Sequence, residues 1–237
     1  MFNILHFVFA IIHLLLGLLL IKYYLKGRAL PLLFLIAIAL GLSYDNFVIG
    51  LGSSIGISEN LQTASLFRFI IHSFLTPCLL ITTFYYLELT KVPWTTQSWT
   101  KPLNFLLVLI LIGIGVFQNL VGIDLVPVCQ NDTLRYAERV RQEHLCEAYD
   151  YPGDVLERKS APPISSIAAI IILAVYAALL WRKTGWFWLC LAAVLMFISA
   201  AIPASIVGLW VSNAGEVLLI FAMTMTAKKL LDTQSQL

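Results

Sequence analysis

Seven stretches of this chain, about 2 to 22, 30 to 51, 65 to 88, 103 to 123, 164 to 182, 185 to 205 and 209 to 229, are apolar enough to lie in lipid. Each approaches the roughly 20 residues that an α-helix needs to cross the hydrocarbon core of a bilayer. Few folds tolerate such a pattern, because inside lipid every backbone N–H and C=O must be bonded within its own segment. It predicts an all-α polytopic bundle of seven transmembrane helices, with 1–237 as a single transmembrane domain. Composition agrees: 60% of the residues are hydrophobic and 12% charged, against about 25% charged in soluble proteins. A net charge of +2, with no basic run interleaved with aromatics, excludes a nucleic-acid partner. The first stretch has neither a basic n-region nor a small-residue cleavage site near its end, so it reads as a retained span and not a signal peptide. Pro77 and Pro203 fall inside spans and are expected to kink them.

Lys and Arg in the connecting loops set the orientation, since basic residues are retained in the cytoplasm during insertion. Lys22, Lys26, Arg28, Lys91, Lys101, Arg182, Lys183, Lys228 and Lys229 fall on one side. The other side has Arg135, Arg139, Arg141, Arg158 and Lys159, all in one long loop. The N-terminus is therefore expected outside and the C-terminus in the cytoplasm, in a plasma (inner) membrane or an endomembrane. Trp94, Trp99, Trp181, Trp186 and Trp210 fall near span ends, as an interfacial belt requires. The fifth and sixth spans are separated only by Arg182, Lys183 and Thr184, which predicts a tight hairpin.

The loop at 124–163 is the one sizeable region outside the apolar stretches. Cys129 and Cys146 within it are expected to form a disulfide if this side is oxidising, worth about 3 kcal/mol in the chain-entropy picture. Leu134, Ala137, Val140 and Leu145 recur at near-helical spacing behind a cap at Asp132, which predicts a short helix over the outer mouth. Asn131-Asp132-Thr133 is an N-glycosylation sequon, meaningful if this side is lumenal in a eukaryote.

An ionisable group inside a membrane span is costly, so each one is a functional hypothesis. Asp45 and Asn46 lie near the outer end of the second span. Arg68 and His72 lie one turn apart in the third, and Asn213 and Glu216 in the seventh. All fall in one outer layer, as residues lining a shared pocket must. His6 and His13 join that side of the first span. Small residues, Gly41, Gly50, Gly52 and Ser53 with Ala214 and Gly215, allow close helix approach there. Asp45 and Arg68 can equally be an ion pair that fixes helix register. One arginine neutralises only one of two acids, however, which leaves the other to be protonated, hydrated, paired with His72 or bound to a cation.

Four classes of function remain open on this basis. An enzyme acting on a lipid or lipophilic small molecule would use Asp45, His72 and Glu216 as acid, base or ligand, with Asn46, Arg68 and Asn213 holding a small lipophilic or anionic ligand. Zinc held by His6, Asp45 and His72 is a variant of it, although no CxxC or HxxxH spacing marks a metal site. A proton-coupled transporter would cycle Asp45 and Glu216 between protonation states, and a receptor or sensor would use the pocket for a small ligand. In a structural protein the cluster is helix-packing glue. Retinal is excluded, since the seventh span has no lysine near its middle.

The phrases YDNFVIGLG and RFIIHSFLTP, from Tyr44 to Gly52 and Arg68 to Pro77, resemble a signature of uncharacterised seven-helix membrane proteins of bacteria and fungi. The resemblance implies that Asp45, Asn46, Arg68, His72 and Pro77 belong together, and it carries no activity. The chain is also similar in span count to the ceramidase-like and progestin-receptor-like membrane hydrolases. It has Asn213 and Glu216 where those proteins carry paired histidines on the last span.

Overall fold

The computed structural model describes residues 2–130, 132–138, 142–153, 163–202 and 204–234, and most of them are helical. Helices α1 (Phe2–Gly27) and α2 (Pro31–Ile55) are joined by Arg28, Ala29 and Leu30. Pro31 stands in the first turn of α2, where its missing N–H has no partner to lose. Ser58 caps α3 (Glu59–Leu75), its Oγ accepting the Leu61 N–H at 3.4 Å, with Glu59 in the positively polarised first turn. The break expected at Pro77 is a 3₁₀ turn, Thr76–Cys78, after which the chain continues as α4 (Leu79–Leu89). Proline has no N–H for the helical ladder, so the ladder fails there. Pro203, the other expected kink, lies outside the described residues.

Helices α5 (Thr100–Asn119), α6 (Ile164–Thr184), α7 (Trp188–Ala201), α8 (Ala204–Val207) and α9 (Trp210–Gln234) complete the bundle. Arg182, Lys183 and Thr184 belong to α6 and are not the turn. The reversal falls on Gly185, at φ 72°, whose N–H donates to the Trp181 carbonyl at 2.8 Å. A left-handed cap favours the residue without a Cβ, so the helix runs on until it reaches one. Five helical stretches are long and apolar enough to cross a membrane: α1, α2, α3 with α4, α5 and α6. Of the other two expected segments, α7 is apolar but 14 residues long, and α9 has 25 residues that include Asn213, Glu216, Lys228 and Lys229.

Helix α1 packs on α2 and α9, α7 on α9 and α6, and α3 on α2 and α5. Leu35, Leu80, Leu87, Leu173, Leu189 and Met223 fill the centre, and the buried Tyr86 hydroxyl donates to the Met223 carbonyl at 2.9 Å. The outward faces are also apolar: Ile4, Ile11 and Leu15 on α1, and Leu106, Leu109 and Phe117 on α5, are exposed. A surface of that kind suits lipid and would associate in water.

The helix expected behind Asp132 is instead a β-hairpin. Strand β1 (Val126–Gln130) pairs antiparallel with β2 (Thr133–Ala137), from Gln130 opposite Thr133 to Val126 opposite Ala137. Asp132 is a turn residue at φ 62°, a conformation that Asp tolerates better than most, rather than a helix cap. Leu134 and Ala137 therefore lie on a strand, while Val140 and the sequon's Asn131 lie outside the described residues. The Cys129–Cys146 disulfide ties the hairpin to the segment that follows it.

The free edge of β2 is covered by helices. The Tyr136 N–H donates to Ser65 Oγ on α3 at 3.4 Å, and the Leu134 carbonyl rests on Gly52 of α2, where any Cβ would collide with it. An exposed strand edge invites wrong pairing, and here α2 and α3 close it.

Candidate functional site

Asp45 and Asn46 are neighbours on α2, so their side chains leave the helix about 100° apart. They enter two different polar clusters. Asp45 turns to α3, where its Oδ1 accepts from Arg68 Nε at 2.5 Å and lies 3.5 Å from His72 Nε2. Arg68 and His72 reach the same carboxylate because their spacing places them on one face of α3. Asp45 and Arg68 are nearly sealed, with side chains 3% and 10% exposed, whereas the His72 side chain is 33% exposed.

His72 opens onto a cavity of about 230 Å³ bounded by α2, α3, α4, α6, α7 and α9. Glu216 of α9 lines the same cavity. Apart from Thr76 and Ser166 the rest of the lining is apolar, with Leu42, Ile170, Met196 and Phe197 among it. Glu216 Oε2 is shielded and has no hydrogen-bond partner. Gly215 brings α9 onto Ser199 of α7, where a Cβ would collide with the serine hydroxyl, and so sets how closely the two cavity walls approach. Asp45 does not line the cavity; it stands behind His72 and holds the ring by one nitrogen.

Asn46 turns the other way. Its Nδ2 donates to the Leu42 carbonyl at 3.0 Å, and its Oδ1 accepts from Asn213 Nδ2 at 2.9 Å and lies 3.1 Å from His6 Nδ1. His6, Asn46 and Asn213 are all buried, and this knot ties α1, α2 and α9 together. Asn46 and Asn213 are therefore engaged with His6 and with each other, away from the cavity lining, although they were candidate ligand-binding residues. The set of His6, Asp45 and His72 weighed for zinc is divided between the two clusters. Among the described residues no three His, Cys, Asp or Glu side chains are grouped to hold a metal ion. His13 is buried too, its Nδ1 3.0 Å from the Phe9 carbonyl, the bond expected of a packing histidine.

Arg135 on β2 is the participant that sequence reading missed. It was counted as a loop charge, yet its Nε is shielded and unpartnered. Burial and repulsion from Arg68 push its pKa down, and attraction to Asp45 acts the other way. Arg68 Nη1 is likewise shielded and without a partner. The layer thus holds two guanidinium groups for its two acids. The hairpin's guanidinium acts on Asp45, and Glu216 keeps a shielded Oε2 without a partner. The usable signal was the alternation of Leu134, Arg135 and Tyr136, which marks a strand and not an exposed helix.

No family model matches the chain, and no curated protein or solved structure matches it either.

Proposed function

We propose that this chain is a multi-pass membrane protein that binds, and acts by acid–base chemistry on, a lipid or lipophilic small molecule in the cavity between His72 and Glu216. The observation that carries the reading is that these two are the only ionisable groups lining an otherwise apolar cavity, among the described residues. Apolar walls with a few convergent polar groups are the usual form of a small-molecule site. His72 is the general acid or base, Glu216 is its counterpart across the cavity, and Asp45 is a positioning residue that orients the imidazole through Nε2 and leaves Nδ1 for the ligand. The carboxylate–histidine pair fixes the ring's tautomer as well as its direction.

In this reading all seven apolar segments are embedded, with the N-terminus outside and the C-terminus in the cytoplasm. The Cys129–Cys146 bond supports that orientation, because disulfides persist on the oxidising side. Lysines at the far ends of α1, α4, α6 and α9 support it as well. Helix α7 would span ~21 Å of a core ~30 Å thick, so its ends or the local bilayer must adjust.

Native mass spectrometry of the full-length chain released from membranes tests the proposal. A retained lipophile is expected, and it should be lost in both His72→Ala and Glu216→Gln while each variant melts within a few degrees of the parent. Retention undiminished in both variants would refute the site.

A further inference from the structure

At the end of the bundle away from the hairpin, α4, α6 and α9 close around a second cavity, of about 520 Å³. Lys91, Lys183 and Lys229 line it, one from each of three separate segments, and among the described residues no carboxylate does. The hydroxyls there are already engaged: Thr90 donates to the Tyr86 carbonyl at 3.1 Å, Thr184 to Leu180 at 2.8 Å and Thr233 to Lys229 at 2.9 Å. The ammonium groups and the Gln234 amide are therefore the donors left for a guest. Lys229 is held over the Trp186 ring at 4.3 Å, and Trp186 is itself fixed by its indole N–H on Thr226 Oγ1 at 3.0 Å. One of the three charges is thus positioned before any ligand arrives.

A lysine in the last turn of a helix is an ordinary partner for the helix dipole. That accounts for Lys183, whereas Lys229 lies more than a turn before the end of α9. It does not account for Lys91, which lies in the turn beyond α4 at φ 52° and still faces the same cavity. Three like charges around one space repel, and an anion within it turns that repulsion into attraction. Exposed Trp99, Trp181 and Trp188 lie at this end of the bundle, where tryptophan marks the head-group level of a bilayer. Leu89 and Leu230 add apolar surface to the lining, which a glycerol-linked head group covers and a free ion does not.

We propose that the cavity between Lys91, Lys183 and Lys229 binds the phosphate head group of an anionic lipid. The inference rests on the membrane reading above and not on chemistry at His72 and Glu216.

The test is native mass spectrometry of the full-length chain taken from mixed micelles of phosphatidylcholine and phosphatidic acid. Phosphatidic acid should be retained over phosphatidylcholine. Each lysine near a membrane surface is worth about fivefold in affinity, so Lys91→Gln, Lys183→Gln and Lys229→Gln together should weaken retention on the order of 100-fold. The triple Lys→Arg chain keeps the charges and should retain the lipid, which guards against a fold that simply fails. Lys22→Gln, Lys26→Gln and Arg28→Gln remove three charges from the same end outside the cavity and should leave retention unchanged. An equal loss in the cavity and control triples would overturn the proposal in favour of diffuse surface charge. Displacement of the lipid by an equal concentration of inorganic phosphate would overturn the lipid assignment.

Discussion

The two polar clusters that diverge from Asp45 and Asn46 differ in how completely they are satisfied. Around Asn46 the Asn46 and Asn213 amides and one His6 nitrogen bond one another or a carbonyl, and the members carry no formal charge when His6 is neutral. Around Asp45 the arrangement is charged and unfinished: Arg68 Nη1, Arg135 Nε and Glu216 Oε2 are shielded with nothing to bond. In an apolar medium an unmet donor or acceptor is a standing cost. The neutral knot is therefore what helix-packing glue looks like, and it absorbs the structural reading that the sequence left open. The charged cluster is not minimised for stability, and its unmet atoms include Glu216 at the wall of a cavity. Polar burial alone does not separate the two clusters, and neither do unmet atoms alone, since His13 Nε2 on α1 is shielded and unpartnered too; what sets the charged cluster apart is that it opens on a cavity through His72 and Glu216.

The strongest way to break this comparison is Asp45→Asn. Removing one partner of a buried ion pair strands the other, a loss of about 3 kcal/mol or more. Arg68 Nε loses its charged acceptor and Arg135 the carboxylate that attracts it. Adding Arg68→Gln should recover most of the loss, because two neutral amides can face each other where one stranded guanidinium could not. Denaturant or thermal melts in one detergent check both steps. If Asp45→Asn melts like the parent, the pair is not the electrostatic centre of this layer. If the double change restores ligand retention along with stability, Asp45 positions nothing and the cluster is glue after all.

A smaller effect separates the neutral knot. Asn213→Ala removes one donor to Asn46 Oδ1, and interhelical hydrogen bonds in bilayers are worth about 0.6 kcal/mol, with a ceiling near 1.7. A destabilisation of about 1 kcal/mol is expected, with the lipophile in the His72–Glu216 cavity still retained. Loss of that lipophile from a chain that melts normally would return Asn213 to the ligand site and erase the distinction between the clusters.

Much of this was legible because lipid leaves the chain few choices. Runs of roughly 20 apolar residues announce helices, and an Asp, Arg or His inside one stands out. Asp45, Arg68 and His72 were readable as a group since i,i+4 spacing already puts two of them on one face. The partition between Asp45 and Asn46 was not readable. It depends on how far α2 is rotated against α1, α3 and α9, and adjacent polar residues look alike in a sequence. The hairpin was misread because Leu134 and Ala137 stand three apart, a helical interval, and Val140 extends it. The Asn131-Asp132 pair was the turn signal that should have outweighed that interval. What the strand alternation could not give is the electrostatic link from Arg135 to Asp45, which joins residues 90 positions apart through a strand edge that only the folded α2–α3 groove creates.

Arg135 offers the finest test of the contrast. Its guanidinium is partly buried, repelled by Arg68 and lacking a partner at Nε, so within the apo protein it contributes less than an apolar side chain of similar length could. Arg135→Met keeps much of the stem packing while removing the charge, and replacing a poorly compensated buried ion in this way is neutral or stabilising. A gain of up to about 1 kcal/mol is expected, kept small because the side chain still reaches solvent in part. In the Asp45→Asn background the same change should gain more, since Arg135 then has no acid near it, and the excess measures the Asp45–Arg135 coupling directly. Additive effects would mean that the hairpin charge does not sense Asp45. The charged layer would then belong to α2, α3 and α9 alone.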